Sequence, residues 1–268
     1  MGKIIAVANQ KGGVGKTTTC VYLTCALKKR GRRVLLVDCD PQGNSTSGMG
    51  VDKTATPNCY DMLMNGAAAA DCIRSTKYGD VLPANMNLSG CSVELVSSEQ
   101  REYIMKTALA AVQDDYDFIL IDCPPSLGLL TVNALTAADY LLIPTMAETF
   151  AASGITQLYD TYKSVKKYTN PALRIDGVLL TRTERTRVTK TIQELTEKIA
   201  DYMGADVYRT TIRSNVIIKE AQAVQENVFD YIESKAQTKG ERVSEASRNF
   251  VNDCLNFVKE FVEKEREQ

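Results

Sequence analysis

The chain contains no histidine. That removes Ser-His-Asp and Cys-His catalysis together with the commonest general base. Any chemistry must fall to carboxylates, lysines, backbone amides or a bound metal. Eight cysteines are present, but none forms a C-x-x-C pair. Without that spacing, and without histidine, no structural zinc site is expected. The thiols read as reduced, mostly buried residues of a cytosolic chain. No run approaches the ~20 apolar residues of a membrane helix. The N-terminus enters a strand-like run carrying Lys3, with no apolar region and cleavage site of a secretory signal. These absences predict a cytoplasmic protein. With 32 Lys and Arg against 33 Asp and Glu, the whole chain is no polycation. From 161 to 219, however, twelve cations stand against six carboxylates. Such a stretch suits either a polyanion-facing surface or a set of solvated helix faces.

What is present alternates regularly. Apolar runs at 3–9, 33–38, 117–122, 140–145 and 174–181 read as buried strands, with a further short strand near 206–210. Helical patterns fall at 17–30, 98–112, 129–138, 153–168, 188–202 and 244–264. The Ala67–Ala70 run reads as an exposed helix end or loop without functional content. Strands apolar throughout, separated by helices, predict βαβ units and an α/β, doubly wound, mostly parallel sheet covered on both faces. There is no internal repeat and no Pro/Ser-rich linker, so 1–268 reads as a single domain, ample for one core, with the last helix packed on it.

Between the first strand and the first helix stands "VANQKGGVGKTTTC", residues 7–20. Strand, Gly-rich turn and helix together make an anion site: amide N–H groups at the helix start point at phosphate, and the helix dipole adds attraction. Gly12, Gly13 and Gly15 allow close backbone approach around Val14. Lys16 reaches phosphate as a point charge, Thr17 can ligate Mg²⁺, and Thr18 continues the turn. The first glycine of the usual P-loop pattern is Gln10 here, and an extra lysine, Lys11, follows it. "VDCDPQGN" (37–44) offers Asp38 and Asp40, and "IDCPPS" (121–126) offers Asp122. Each ends an apolar run beside the loop, where a metal anchor and a water-placing residue are expected. Cys39 and Cys123 beside them read as small core residues.

"KGGVGKTT", "VDCDPQGN" and "DCPPS", in this order and spacing, resemble the ParA family of DNA-partition ATPases, with its deviant Walker A loop. Residues 80–95 and "TIRSNVIIKEAQ" (211–222) are similar to further family segments, so the likeness spans roughly 3–225. The resemblance implies ATP and Mg²⁺ as cofactors and a homodimer that sandwiches two nucleotides. Lys11 would reach across to the partner subunit's ATP, as an arginine finger does. Asp40 would position the attacking water. Asp38 and Asp122 would serve magnesium and the switch network. Hydrolysis would be weak until a centromere-binding, ParB-like partner stimulates it. The ATP dimer would bind double-stranded DNA without sequence preference, giving a cytoplasmic, nucleoid-associated protein. Arg213 and Lys219 fall in the matching basic segment and are the DNA candidates, ahead of Arg182, Arg185 and Arg187. Thr181 and Arg182 are expected on the adenine side. After "KEAQ" the chain departs from the family pattern, and the family's N-terminal helix-turn-helix is not expected here.

Three other readings use the same loop. A MinD-like membrane ATPase would end in a basic amphipathic helix. The helix at 244–264 is amphipathic but acidic in its last turns, and reads as core packing. A nitrogenase iron-protein type would need bridging cysteines; Cys91 and Cys123 lie in roughly suitable regions, but nothing in their spacing supports a cluster. A small-molecule kinase or synthetase would need an acceptor motif, and none is visible.

Overall fold

The structure is a computed structural model and describes residues 1–146, 151–183, 187–224, 226–238 and 244–267. In chain order it contains β1 (Lys3–Val7), α1 (Lys16–Lys29), β2 (Val34–Asp38), α2 (Asn44–Gly48), α3 (Cys59–Met64) and α4 (Ala69–Cys72). A hairpin follows, β3 (Arg74–Thr76) and β4 (Gly79–Leu82), then α5 (Leu88–Glu94), α6 (Ile104–Ala110), β5 (Phe118–Asp122), α7 (Leu129–Ala137) and β6 (Tyr140–Met146). The remainder is α8 (Ala151–Tyr168), β7 (Arg174–Thr183), α9 (Arg187–Met203), β8 (Ile212–Arg213), α10 (Val216–Ala223), α11 (Val228–Thr238) and α12 (Glu245–Glu267).

Among the described residues the strands form one sheet in the order β3-β4-β2-β5-β1-β6-β7-β8. Only the β3–β4 pair is antiparallel. The chain winds from β1 toward one edge and later returns to wind toward the other, the doubly wound arrangement expected. β2 and β5 are buried at every position, as strands covered on both faces must be. Alternate residues serve opposite layers, because strand side chains alternate. Ile4, Leu35, Val37, Ile119 and Ile121 pack with α3 and α5 to α9. Ile5, Val7, Leu36 and Leu120 pack with α1 and α10 to α12.

The terminal helix belongs to this second layer. Its Phe250, Cys254, Phe257, Val258 and Phe261 are fully buried. Phe257 meets Tyr22 of α1 edge-on at 5.9 Å and Tyr208 at 4.8 Å, and Phe261 meets Phe118 at 5.8 Å. The five buried residues carry α12 into the second layer, while Leu255 stays exposed.

Several local expectations are corrected. The helix at 98–112 begins only at Ile104, because Gln100 takes a left-handed conformation (φ 49°) and its carbonyl receives the Tyr103 N–H. The strand near 206–210 reduces to a single bridge between Val207 and Val178, and pairing resumes at β8. The Ala67–Ala70 run enters α4 and buries Ala69. The β3–β4 hairpin was not expected. Its Gly79 is required: φ is 132°, and a Cβ there would stand 2.8 Å from Thr24 Cγ2.

Candidate functional site

The carboxyl ends of β1, β2 and β5 lie side by side, with Val7 and Asp38 both in register with Asp122. This is where ligands bind in open α/β sheets. Beyond β1, buried Asn9 donates through Nδ2 to the Pro144 carbonyl at 2.8 Å and accepts the Lys11 N–H at 3.0 Å. That pins the loop entrance to β6. Gly13 (φ 73°) and Gly15 (φ 89°) make the turn in a left-handed conformation that residues with a Cβ resist. Gly15 caps α1, whose first turn has no side-chain cap and no acidic residue. Its leading N–H groups are therefore free to meet an anion.

Lys16 is only 7% exposed. Its Nζ donates to the Lys11 carbonyl at 3.3 Å. Burial lowers its pKa, opposed by the charges of Asp122 and Asp40. A buried ammonium with one carbonyl partner is an unfavourable arrangement that a phosphate would relieve.

Asp122 Oδ2 accepts the Thr17 hydroxyl at 2.8 Å and the Ser45 hydroxyl at 2.6 Å. Its Oδ1 is buried without a hydrogen-bond partner. An orphaned carboxylate oxygen beside two hydroxyls is the donor set of a hard divalent cation, so these residues fit Mg²⁺. Asp38 is used differently. Its Oδ1 accepts the Asp40 N–H at 3.1 Å, and Oδ2 accepts the Thr46 N–H at 2.8 Å and hydroxyl at 2.7 Å. Burial pushes both acids upward, and for Asp38 the neighbouring Asp122 charge adds to it. A cation would reverse that logic. Asp40 lines the cleft, and its Oδ1 accepts the Gln42 N–H at 2.9 Å.

The cleft has a volume of about 470 Å³ and runs from Lys16, Thr17 and Asp40 to a far wall at Ile212–Lys219. Thr181, Arg182 and Arg213 all line it. Thr181 and Arg182, expected on the adenine side, brace the phosphate loop: Thr181 Oγ1 donates to the Val14 carbonyl at 2.7 Å, and Arg182 Nη1 to the Gly13 carbonyl at 3.4 Å. Arg213, expected to meet DNA, is held by α12. Its Nη2 and Nε donate to Asp253 at 2.6 and 2.8 Å, its backbone N–H to the same carboxylate at 3.2 Å. Asn215 Nδ2 donates to the Ala246 carbonyl at 2.8 Å. The terminal helix thus holds the far wall. Lys219 lies exposed on that wall. Arg185 lies outside the described residues, as does the side chain of Arg187.

Asn9, Ser45, Thr46 and Asp253 were missed in the sequence. Ser45 and Thr46 directly follow "VDCDPQGN" and could have been read as its continuation; Asp253 had no local signal. Cys39 and Cys123 are fully buried, their thiol pKa values pushed up, Cys39 first by its hydrogen bond with Cys59 and Cys123 by burial. Cys91 is equally buried, so neither it nor Cys123 offers a surface thiol for bridging. Among the described residues no helix is long and apolar enough to cross a membrane.

Residues 2–175 match a family described as an AAA domain. Over 224 residues the chain is 50% identical to the sporulation initiation inhibitor protein Soj of Bacillus subtilis, covering 82% of this chain and 88% of that protein. It is 41% identical over 240 residues to the chromosome partitioning protein ParA of Myxococcus xanthus, covering 88% and 84%. Among solved structures, cobyrinic acid a,c-diamide synthase from Mycobacterium smegmatis, with bound ADP and magnesium, superposes with a TM-score of 0.75 at 35% identity, covering 91% of this chain and 98% of that one. The phosphate loop, the paired carboxylates and these relatives lead to one assignment: the chain belongs to the ParA family of partition P-loop ATPases.

Proposed function

We propose that the chain binds ATP with Mg²⁺ in this cleft, hydrolyses it slowly to ADP and phosphate, and uses the cycle to bind and release DNA during partition. The observation that carries the reading is Asp122, with one buried oxygen unpartnered and the other shared by Thr17 and Ser45, directly below the uncapped start of α1. Thr17 and Asp122 would hold the Mg²⁺, which when bound offsets charge on the β- and γ-phosphates. Asp38 shapes the 40–46 loop that carries Asp40 and Ser45. Asp40, at the cleft wall, orients the attacking water. Lys16 and the N–H groups from Gly12 to Thr18 cradle the phosphates.

Lys11 leads the loop, its N–H fixed by Asn9. In a dimer closed over two nucleotides it would supply a cation in trans, making the γ-phosphate part of the interface. Non-specific duplex DNA would then meet the ATP dimer, and a ParB-like centromere-binding partner would stimulate hydrolysis and release. Of the two cations expected to contact DNA, Lys219 keeps that role, and Arg213 passes to the cleft wall. The membrane alternative loses support because Phe250, Phe257, Val258 and Phe261 of α12 are buried.

The test is binding of a random-sequence duplex with ATP, with ADP and without nucleotide, beside Lys16→Ala. Binding that needs ATP, disappears in Lys16→Ala and weakens steeply with salt supports the reading. No ATP-dependent binding at any salt overturns it.

A further inference from the structure

A second basic surface lies at the opposite pole of the molecule. Five of the six residues from 28 to 33 are cations, Lys28, Lys29, Arg30, Arg32 and Arg33, and all are exposed. They sit at the far end of α1, about 20 Å along the helix from Lys16, at the amino ends of the strands. Nothing there serves the nucleotide.

The run is held in shape. The Arg32 N–H donates to the Leu27 carbonyl at 3.1 Å and the Gly31 N–H to the Lys28 carbonyl at 2.9 Å, with Gly31 left-handed at φ 77°. This double bond closes the helix as a Schellman turn, so the cations project from a rigid corner. The helix dipole accounts for Lys28 and Lys29 in the last turn. It does not account for Arg32 and Arg33, which lie beyond the cap. Nearby acids are already engaged. Asp117 pairs with Arg33 at 3.7 Å, Asp114 stands 3.5 Å from the N-terminal ammonium, and Asp230 pairs with Lys77 and Tyr78. Lys29 lies over the Phe229 ring at 5.4 Å. Among the described residues no carboxylate pairs with Lys28, Arg30 or Arg32. In a chain of net charge −1, this unneutralised cluster makes a local positive potential that attracts a polyanion.

We propose that Lys28, Arg30 and Arg32 form a second contact surface for the phosphate backbone of duplex DNA. The inference rests on the DNA-binding reading above and adds to it a surface remote from Lys219. A bilayer fits the run less well, because it carries no apolar side chain to insert. Phosphate contacts need only cations, and guanidinium matches phosphate geometry.

The experiment measures affinity for a random-sequence duplex with ATP across a salt series. It compares the unsubstituted chain, Lys28→Gln/Arg30→Gln/Arg32→Gln, each single replacement, and Lys219→Ala. Each lost phosphate contact lowers the log–log salt slope by about 0.9, so the triple variant should lose about 2.7 with ATPase rate and melting temperature kept. The single variants should each lose about 0.9, which guards against a folding artefact in the triple. An unchanged slope in the triple variant, with the unsubstituted chain binding DNA, overturns this inference alone. Absence of binding by the unsubstituted chain overturns it together with the DNA-binding reading. Retained DNA affinity, with lost binding to phosphatidylglycerol vesicles, overturns it in favour of a lipid surface.

Discussion

Asp253→Asn tests whether the terminal helix sets the nucleotide cleft. In the structure Asp253 receives two guanidinium bonds and one backbone N–H from Arg213. The carboxylate side chain is 11% exposed and the guanidinium 34%. The pair is therefore neither a surface ion pair worth about 0–1 kcal/mol nor a fully buried one whose rupture costs about 3–5 kcal/mol. Asparagine keeps the shape and one acceptor, which the guanidinium still meets as a charged donor, but the carboxylate charge and the second acceptor are lost, and a charged hydrogen bond is worth about 1.5–3 kcal/mol. A loss of about 2 kcal/mol follows. If the far wall loosens by that amount, ATP affinity falls at most about 30-fold. Titration with a fluorescent ATP analogue should show a weaker Kd, while the rate at saturating ATP stays unchanged, because the wall binds ground state and transition state alike. Arg213→Ala should weaken nucleotide binding similarly, and the double variant should add little. The reasoning is refuted if urea unfolding shows the stability loss but Kd stays within twofold. If Arg213→Ala instead lowers the DNA salt slope by about 0.9 with nucleotide affinity intact, Arg213 belongs to the DNA surface after all.

Three further outcomes are expected. Lys16→Ala should lower ATP turnover by about 10²- to 10³-fold, since it removes a charge aimed at the transferred phosphoryl; a phosphate-release assay that finds less than a tenfold loss removes Lys16 from the site. Phe257→Ala should cost about 3–5 kcal/mol in urea unfolding, because a fully buried ring touching Tyr22 and Tyr208 leaves a cavity against α1; a loss below about 1 kcal/mol contradicts the packing. Burial holds Asp176 at about 6, above its ordinary 3.8. The folded state therefore binds more protons across that window, and the contribution of Asp176 to stability falls as pH rises from about 4 to 6, by about 3 kcal/mol. Asp176→Asn keeps an acceptor for the Tyr208 hydroxyl and should lessen the fall in unfolding curves at pH 4, 5, 6 and 8, leaving the share of Asp38 and Asp122; an unaltered pH slope rejects the assignment.

The phosphate loop was legible because everything it needs is contiguous. Glycines, Lys16 and Thr17 follow a strand and open a helix within ten residues, and local sterics leave that stretch few other conformations. Asp38 and Asp122 were legible for a related reason: a charge that ends an apolar run marks a strand's carboxyl end. Their separate duties were not. Whether Asp38 holds Thr46 or a metal depends on contacts across the sheet, and Asp122 meets Ser45 from 77 positions away. The helix expected at 98–112 failed at one residue, Gln100, whose left-handed turn no periodicity announces.

Local chemistry by itself determined the alternation of the five main buried strands with the longer helices, the phosphate loop, the carboxylates at strand ends and the family they resemble. Propensity, periodicity and turn residues act over a few positions, and those positions are adjacent in the chain. The tertiary structure alone decided that Thr181 and Arg182 brace the loop, that Asp253 claims Arg213, that Phe257 of α12 is buried against α1, and that Lys28, Arg30 and Arg32 stand clear of carboxylates. Each depends on which surfaces meet when the sheet winds in two directions. Side chains forty to more than two hundred positions apart then become neighbours, and no short-range pattern encodes that.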